Sequence, residues 1–321
     1  MRKVMFTGTD LEVSLLALGT AHFGSGISMA QAFEQLDTYV AYGGNIIDTA
    51  HAYGNWISGL DSPSEEAIGE WLKKSRKRNQ VLVSTKGGHP NLNDMTRMRV
   101  DITSLESDLD ASLKKMNIDY FDMYFLHRDD PTVPVEELLE WLEEKVRIGK
   151  IRYYGCSNWS FERLKEAQMI AASKGFHGFS CNQAIGCLAD VHPETLPPFN
   201  IVMDKKIREY HESTQLSFMA YMALSRGYFM KRLAEKPISE ENLANYTAKS
   251  NDKIVEKLRM LCDGEYSALD FYYQYLIHQK FPTVAIAGFS SKKQIEEAVA
   301  SIECNMPSSL LLQVAELKEL Q

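Results

Sequence analysis

Short runs of β-branched, aliphatic and aromatic residues alternate along the chain with longer stretches in which apolar residues recur every three or four positions. The runs predict strands at residues 15–20, 45–50, 81–86, 120–127, 152–158, 179–184, 216–221 and 283–289. The amphipathic stretches predict helices at residues 28–42, 64–77, 101–116, 134–148, 160–174, 203–214, 265–279 and 291–301. Ser64 and Ser160 are expected to cap the two helices that they begin. Strands that are each followed by one helix connect to parallel neighbours through right-handed crossovers, in an open sheet or a closed barrel. Eight units favour closure, so we expect an α/β fold of the (β/α)8 TIM-barrel type.

The amino-terminal segment and three long connections refine this architecture. Residues 2–13 hold two short extended runs around the turn residues Thr7 to Asp10, which predicts a β-hairpin capping the bottom of the barrel. Connections 51–63, 185–202 and 226–264 are longer than usual and all follow strands. Loops after strands surround the face of a barrel where chemistry occurs, and we expect 226–264 to cover a site there. No linker divides the chain, so residues 1–321 are interpreted as one domain.

Composition narrows the classes of function. Apolar residues make up 45% and charged residues 24% of the chain, enough for a sizeable core. The net charge of −8 argues against a nucleic-acid partner. No apolar run approaches the ~20 residues that cross a bilayer, and no secretory signal follows the amino terminus, so no membrane span and a cytoplasmic location are expected. Five cysteines without a C-x-x-C pair predict buried thiols rather than disulfides or a metal site.

Polar residues stand at the carboxyl ends of most predicted strands. They are Asp48, Lys86, His127, Ser157 with Asn158, Gln183, Tyr221 and Ser290. Side chains at these strand ends point into the central mouth of a barrel, so residues far apart in sequence converge there. The pattern therefore predicts a catalytic or binding site at the mouth.

Several motifs resemble those of the aldo-keto reductase family, in the family's order. They are DTAHAYG (48–54), STKGG (84–88), FLHRDDP (125–131), GKIRYYGCSNW (149–159), NQ (182–183) and AYMALSRG (220–227). The resemblance runs from Leu15 to about Val299 and implies a (β/α)8 barrel, a nicotinamide cofactor and the catalytic tetrad Asp48, Tyr53, Lys86 and His127. A Rossmann fingerprint is absent, because the third glycine after Gly24-Ser25-Gly26 would fall on Met29.

The tetrad can also be argued from chemistry. Reduction of a carbonyl needs a hydride at carbon and a proton at oxygen, and Tyr53 is the candidate acid. We expect the ammonium of Lys86 to lower the pKa of this phenol, Asp48 to keep the lysine charged, and His127 to donate a hydrogen bond to the substrate oxygen. Alternatives remain open at this stage: a structural Asp48–Lys86 ion pair, a packing role for Tyr53, and an interior histidine at position 127.

The resemblance also implies contacts to the cofactor. Ser157, Asn158 and Gln183 would hold the nicotinamide carboxamide, Tyr221 would stack under the ring, and Leu224, Ser225, Arg226 and Gly227 would lie along the pyrophosphate. Ser157 and Asn158 could instead cap the helix that follows.

The segment 288–299 resembles the family's adenosine-phosphate segment through Gly288, Phe289, Ser290 and Gln294, before a helix whose start offers an anion site. Ala298 departs from the asparagine common in the family. Lys292 or Lys293 could bind a 2′-phosphate, or could be solvated surface lysines. NADP(H) is therefore favoured, with NAD(H) as the alternative.

The loops after the strands supply a candidate substrate site. Its expected lining is His22, Phe23, Trp56, Arg128 and Trp159, which suits a small aldehyde, ketone or sugar-like molecule. Arg128 either binds a substrate anion or pairs with Asp129 or Asp130. The function predicted is an NADP(H)-dependent oxidoreductase, and the alternative is a cofactor-binding regulatory or partner subunit. A metal-dependent hydrolase is disfavoured, since only His51 and His127 are placed to bind a metal. The sequence leaves the oligomeric state open.

Overall fold

The predicted strands form one closed, all-parallel barrel in the computed structural model, which describes residues 1–262 and 264–317. The barrel strands, each paired with the next and the last with the first, are β3 (Leu16–Gly19), β4 (Ile46–Asp48), β5 (Leu82–Gly87), β6 (Phe121–Leu126), β7 (Ile151–Ser157), β8 (Cys181–Ile185), β9 (Ser217–Tyr221) and β10 (Thr283–Ala287). The (β/α)8 barrel is confirmed. Residue 263 of the predicted connection 226–264 and residues 318–321 of the predicted domain 1–321 lie outside the described residues.

Helices follow the barrel strands and cover the outside of the barrel. In the described residues they are α1 (Met29–Ala41), α2 (Pro63–Ser75), α3 (Ile102–Met116), α4 (Val135–Arg147), α5 (Phe161–Lys174), α6 (Lys205–Thr214), α7 (Tyr228–Leu233), α8 (Glu240–Tyr246), α9 (Lys249–Leu261), α10 (Ala268–Ile277), α11 (Lys292–Glu303) and α12 (Ser308–Glu316). The eight predicted helices agree with the observed ones, and α12 was not predicted because its run of leucines shows no polar stripe. None of these described helices combines the length and apolar character needed to cross a membrane.

Ser160 and Ser64 were expected to cap helices α5 and α2, and the structure confirms the first of these caps. Ser160 caps α5, where its hydroxyl accepts a hydrogen bond from the amide of Arg163 at 3.3 Å, as expected. Ser64 was expected to cap α2, but that helix begins earlier, at Pro63. The hydroxyl of Ser64 is instead buried between the hydroxyls of Thr20 and Thr49, at 2.8 Å from each, where it ties α2 to the ends of two barrel strands.

The amino-terminal hairpin closes one end of the barrel. It consists of β1 (Lys3–Met5) and β2 (Glu12–Ser14), which pair antiparallel. The amide of Thr7, in its turn, donates to the hydroxyl of Ser217 at the start of β9, which places the hairpin at the amino-terminal end of the strands. Its buried side chains pack with residues inside the barrel, so this end is filled and a site must lie at the opposite, carboxyl end.

The two longest connections pack against each other. Helices α7, α8 and α9 occupy the connection predicted at 226–264. The side-chain amide of Asn251 donates to the carbonyl of Asp190 at 2.9 Å, and the backbone amide of His192 donates to the carbonyl of Asn245 at 2.9 Å. These contacts join the loops after β8 and β9 into one unit, while the covering role expected for 226–264 stays a prediction.

Cysteine burial agrees only in part with the expectation from sequence. Cys156, Cys181 and Cys187 are buried, whereas Cys262 and Cys304 are half-buried. The two partial exposures arise at the end of α9 and of α11, where the chain leaves a helix toward the surface.

Candidate active site

Lys86 lies at the centre of the residues gathered at the carboxyl end of the barrel. Its amine is 2.8 Å from a carboxylate oxygen of Asp48, 2.7 Å from the carbonyl of Thr49 and 3.2 Å from the hydroxyl of Tyr53. The side chain of Lys86 is completely buried. Because the amine has three hydrogens and three oxygen partners, its position is fixed from three directions.

Strand pairing explains how Asp48 and Lys86 meet. Asp48 ends β4 opposite Ser84 of the neighbouring β5, and Lys86 lies two residues further along β5. Residues two apart in a strand share a face, so Ser84 and Lys86 both point toward Asp48. The hydroxyl of Ser84 and the side-chain amide of Gln183 each donate to the other oxygen of Asp48 at 3.0 Å. The carboxylate is thus held by three donors from two strands.

Tyr53 reaches the lysine from the loop after β4. The chain turns sharply there, since the amide of Tyr53 donates to the carbonyl of Ala50 at 3.0 Å. Gly54 follows at φ +89°, and a Cβ at this position would come within 2.2 Å of Pro63. Only glycine combines this positive φ with so close an approach, so Gly54 fixes the turn that presents Tyr53.

Burial and charge set the protonation states of Lys86 and Tyr53. Burial opposes the charge of Lys86, but its interactions with the carboxylate of Asp48 and the hydroxyl of Tyr53 together outweigh it, and the pKa of Lys86 is raised above its ordinary value. Lys86 lowers the pKa of Tyr53, as expected, but the expectation left out the opposing effect of burial. Burial raises the pKa of Tyr53 by more than the nearby ammonium lowers it, so the pKa lies above the ordinary 10.0. Tyr53 therefore holds its proton at neutral pH.

His127 stands beside Tyr53 at the end of β6. The two rings meet edge to face, with centroids 5.8 Å apart. His127 is 7% exposed, and its Nδ1 has no hydrogen-bond partner among the described residues. Burial, together with the charges of Arg128 and Lys86 and the neighbouring His89, lowers the pKa of His127 well below its ordinary value. A neutral imidazole at this position can donate a hydrogen bond to a substrate oxygen.

The residues proposed for the carboxamide group are buried and linked to this cluster. The side-chain amide of Asn158 donates to the hydroxyl of Ser157 at 3.0 Å and to the carbonyl of His127 at 3.4 Å. Its oxygen accepts from the hydroxyl of Tyr221 and from the amide of Ile201. Among the described residues, the hydroxyl hydrogen of Ser157 and the side-chain oxygen of Gln183 have no hydrogen-bond partner, which leaves them for a ligand. One donor and one acceptor fit a carboxamide, and the half-buried ring of Tyr221 lies beside them.

The segment Leu224–Gly227 differs in part from the expectation. Ser225 and Arg226 both have positive φ, at +47° and +50°, so the backbone turns tightly. The side chain of Ser225 is buried and its hydroxyl meets that of Tyr272, while its backbone amide donates to the carbonyl of Met222 at 2.8 Å, so Ser225 itself presents no free donor to a phosphate. Arg226 is 44% exposed and pairs with Glu241, whereas Leu224 is half-buried without a polar role.

The segment after β10 keeps its predicted form. Gly288 and Ser290 are exposed, and the amide of Ser290 donates to the side chain of Gln294 at 2.7 Å. Ser291 caps α11. The amine of Lys292 lies 3.8 Å from a carboxylate oxygen of Glu296, and Lys293 has the same relation to Glu297 at 3.6 Å, so each lysine has an acidic partner on its own helix.

Comparisons with known proteins agree with this geometry. The model of the aldo/keto reductase family matches residues 15–319. The chain belongs to the aldo/keto reductase family. It is 26% identical to the aldo-keto reductase YhdN of Bacillus subtilis, over 92% of this chain and 87% of that protein. It is also 26% identical to norsolorinic acid reductase of Aspergillus flavus, over 99% of this chain and 79% of that protein.

A solved structure supports the fold. The thermostable aldo-keto reductase Tm1743, in complex with the inhibitor epalrestat, superposes with a TM-score of 0.72 at 23% identity, over 99% of this chain and all of that one. Aldo/keto reductases are oxidoreductases that act on carbonyl compounds with nicotinamide cofactors. Membership therefore agrees with the oxidoreductase class expected from the motifs.

The expected substrate lining of this aldo/keto reductase needs two corrections. Trp56 is 45% exposed and meets the ring of His22 edge to face at 5.5 Å, so these two rings are available at the mouth. Phe23 is 1% exposed and Trp159 is completely buried, and both belong to the hydrophobic core. The indole of Trp159 packs on Phe179 and donates to the carbonyl of Arg128 at 3.3 Å, so it stabilises the loop after β6 from the side of the core.

Sequence reasoning missed His89. Its ring lies 4.7 Å from that of His127, and its Nδ1 bonds to the carbonyl of Pro90 at 2.7 Å. Burial, followed by the charge of Arg128, lowers the pKa of His89 to about 4. The residue directly follows the STKGG motif, so its place in a loop after a strand was the available signal.

A second missed feature lies behind Lys86. The amide of His51 donates to the carbonyl of Lys86 at 3.0 Å, while its ring lies 3.7 Å from carboxylate oxygens of Glu65 and of Asp108. Glu65 and Asp108 are buried on α2 and α3. Charged residues on helices usually face solvent, so no pattern in the sequence indicates this cluster.

Proposed function

We propose that the protein is an NADP(H)-dependent reductase that converts the carbonyl of an aldehyde, ketone or sugar-like molecule to an alcohol, or catalyses the reverse reaction. The observation that carries the proposal is the contact of the Tyr53 hydroxyl with the amine of Lys86, itself bonded to Asp48, beside a neutral His127. An acid, a charged group behind it and a hydrogen-bond donor beside it are what protonation of a carbonyl oxygen requires.

Each residue of the tetrad has a distinct role in this proposal. Nicotinamide, when bound, supplies or accepts the hydride. Tyr53 donates its phenolic proton to the carbonyl oxygen as negative charge develops there. Lys86 stabilises the resulting phenolate, and Asp48 keeps the lysine charged and in place. His127, whose neutral imidazole lies beside the ring of Tyr53, orients the oxygen before the transfer.

Buried polar groups supply the proposed cofactor site. The donor and acceptor left on Ser157 and Gln183 would bind the carboxamide, and Tyr221 would lie against the ring. The backbone of Leu224–Gly227 and the start of α11 would bind the phosphates, with Gly288, Ser290 and Gln294 near the adenosine. His22, Trp56 and Arg128 would line the mouth for a small substrate.

Turnover tests the proposal directly. The purified protein is mixed with a panel of aldehydes, ketones and sugars, and oxidation of NADPH or NADH is followed. We expect turnover with at least one carbonyl and a preference for NADPH. Tight NADPH binding without turnover of any carbonyl would contradict the proposal and favour a cofactor-binding regulatory or partner subunit.

Cofactor preference is predicted to depend on the start of α11. The double change Lys292→Ala, Lys293→Ala should weaken NADPH binding by about tenfold and leave NADH binding nearly unchanged, because only NADPH carries a 2′-phosphate. Dissociation constants from fluorescence titration give the ratio. The matched control is Lys205→Ala, Lys206→Ala, two exposed lysines at the start of α6. An unchanged NADPH-to-NADH ratio in the α11 variant would show that these lysines do not recognise the phosphate.

The raised pKa of Tyr53 predicts opposite pH profiles for the two directions of the reaction. Reduction needs the phenol form, which persists up to the folded-state pKa, so kcat/KM should stay flat from about pH 7 to about pH 9 and fall only at higher pH. The reverse oxidation needs the phenolate form of Tyr53, so kcat/KM for oxidation should rise from about pH 7 to about pH 9. Because the pKa values of His127 and His89 are lowered, neither of these two histidines titrates in the neutral range. A fall in reductive kcat/KM between about pH 7 and 8 would contradict the account.

A further inference from the structure

Arg128 directly follows His127, which places a guanidinium next to the proposed tetrad. Its side chain is half-buried, and the buried Nε has no hydrogen-bond partner among the described residues. The described part of the chain also contains no ion pair for Arg128. A cation that is mostly withdrawn from water and lacks a counter-charge is unfavourable unless something binds it.

The two acidic residues that follow Arg128 in the chain, Asp129 and Asp130, are bonded to other partners. Asp129 accepts a two-pronged contact from Arg163, with both closest nitrogen–oxygen distances at 3.0 Å. The side chain of Asp130 accepts from the hydroxyl and the amide of Thr132, at 2.7 and 3.0 Å. The alternative left open by the sequence, an ion pair of Arg128 with one of these acids, is therefore not formed.

Among the described residues, the titratable groups that interact with Arg128 carry no formal negative charge at neutral pH. The hydroxyls of Tyr221 and Tyr53 interact with the guanidinium, and both have a raised pKa and stay protonated, chiefly because they are buried. His127 and His89 are neutral rings on the same side of the mouth. The pocket therefore has one uncompensated positive charge beside the place where the carbonyl oxygen would bind.

We propose that Arg128 binds an anionic group carried by the substrate itself, a carboxylate or a phosphate, so that the favoured substrates are anionic carbonyl compounds. The planar guanidinium offers paired donors that match either group. The inference rests on the proposed carbonyl reductase, because it places the anion within the same mouth as the reacting carbonyl. It narrows the substrate class beyond a small carbonyl compound.

Matched substrate pairs test this inference. 4-Carboxybenzaldehyde and methyl 4-formylbenzoate differ in the negative charge of a carboxylate. Glyceraldehyde 3-phosphate and glyceraldehyde differ in the negative charge of a phosphate. For wild-type protein we expect kcat/KM to favour the charged member of at least one pair by roughly 10- to 100-fold, the range of a desolvated charged hydrogen bond. The pair with the larger ratio identifies the anion, and the absence of any preference for charge would overturn the inference.

Substitutions at Arg128 locate the effect. In Arg128→Gln the ratio of charged to neutral kcat/KM should fall by roughly 10- to 100-fold, chiefly through KM, and Arg128→Lys should restore part of it. The affinity for NADPH, measured by fluorescence titration, should not change. A ratio that stays the same in Arg128→Gln, or a comparable loss of NADPH affinity, would show that Arg128 acts on something other than the substrate anion.

A binding experiment separates this inference from the proposed function. Benzoate and, in a separate titration, inorganic phosphate are added to the protein saturated with NADP+, with protein fluorescence as the readout. Binding to wild type that is lost in Arg128→Gln supports the anion site even if no carbonyl is reduced. Failure of wild type to bind benzoate or inorganic phosphate, together with carbonyl turnover, would overturn the anion site and leave the proposed function intact.

Discussion

Tyr53→Phe is expected to lower the rate of carbonyl reduction by about 10²- to 10⁴-fold, because it removes the proton donor and leaves the ring in place. The Lys86 amine keeps Asp48 and the carbonyl of Thr49 as partners, so we expect a loss of only about 1 kcal/mol in the free energy of unfolding. Binding of NADPH should be retained. Single-turnover rates measure the first effect, and fluorescence titration and thermal unfolding measure the others.

A second tyrosine provides the control. Tyr273 is completely buried on α10, and its hydroxyl has no hydrogen-bond partner among the described residues. Tyr273→Phe makes the same chemical change away from the tetrad and should leave turnover unaltered. Wild-type turnover in Tyr53→Phe would defeat the assignment of Tyr53 as the acid.

Lys86→Met is expected to abolish turnover and to destabilise the fold. The substitution leaves Asp48 as a buried carboxylate whose remaining donors, within the described ranges, are Ser84 and Gln183, and breaking a buried ion pair costs about 3 to 5 kcal/mol. The free energy of unfolding from denaturant titration should fall by that amount. Lys145→Met, which breaks the Lys145–Glu106 contact between α4 and α3, serves as the control and should affect stability without affecting turnover.

The double variant Asp48→Asn, Lys86→Met separates the structural from the catalytic role of the pair. Removing both charges should recover most of the stability lost in Lys86→Met, since no unpaired charge remains buried. Turnover should stay absent, because nothing stabilises the phenolate of Tyr53. Recovery of turnover together with stability would make the Asp48–Lys86 contact an ordinary structural ion pair.

The barrel could be predicted from the sequence because its strands are short apolar runs that end in polar residues. The pairing of β4 with β5 then brings Asp48 and Lys86 together without any further information, as the register of a parallel barrel requires. The hairpin was equally accessible, through the turn residues between its two short runs.

Side-chain direction after the strands could not be predicted. Asn158 has φ +61°, and this left-handed residue turns the chain so that Trp159 packs into the core against Phe179 instead of facing the mouth. The pKa of Tyr53 was missed for a related reason: the sequence identifies the neighbouring ammonium, but the degree of burial that outweighs it depends on the assembled fold. Arg128 likewise has no ion pair with Asp129 or Asp130, because these acids bond to Arg163 and Thr132. Both partners lie outside the motif FLHRDDP (125–131).

Transfer of deuterium from the nicotinamide to the substrate tests the central claim most directly. The protein is incubated with NADPH deuterated at the transferred position and a carbonyl substrate, and the alcohol is analysed by mass spectrometry. The account predicts one deuterium at the carbinol carbon for each NADPH oxidised by wild type, and almost none with Tyr53→Phe although NADPH still binds. Bound NADPH with no deuterium in any alcohol, or equal transfer by wild type and Tyr53→Phe, would contradict it.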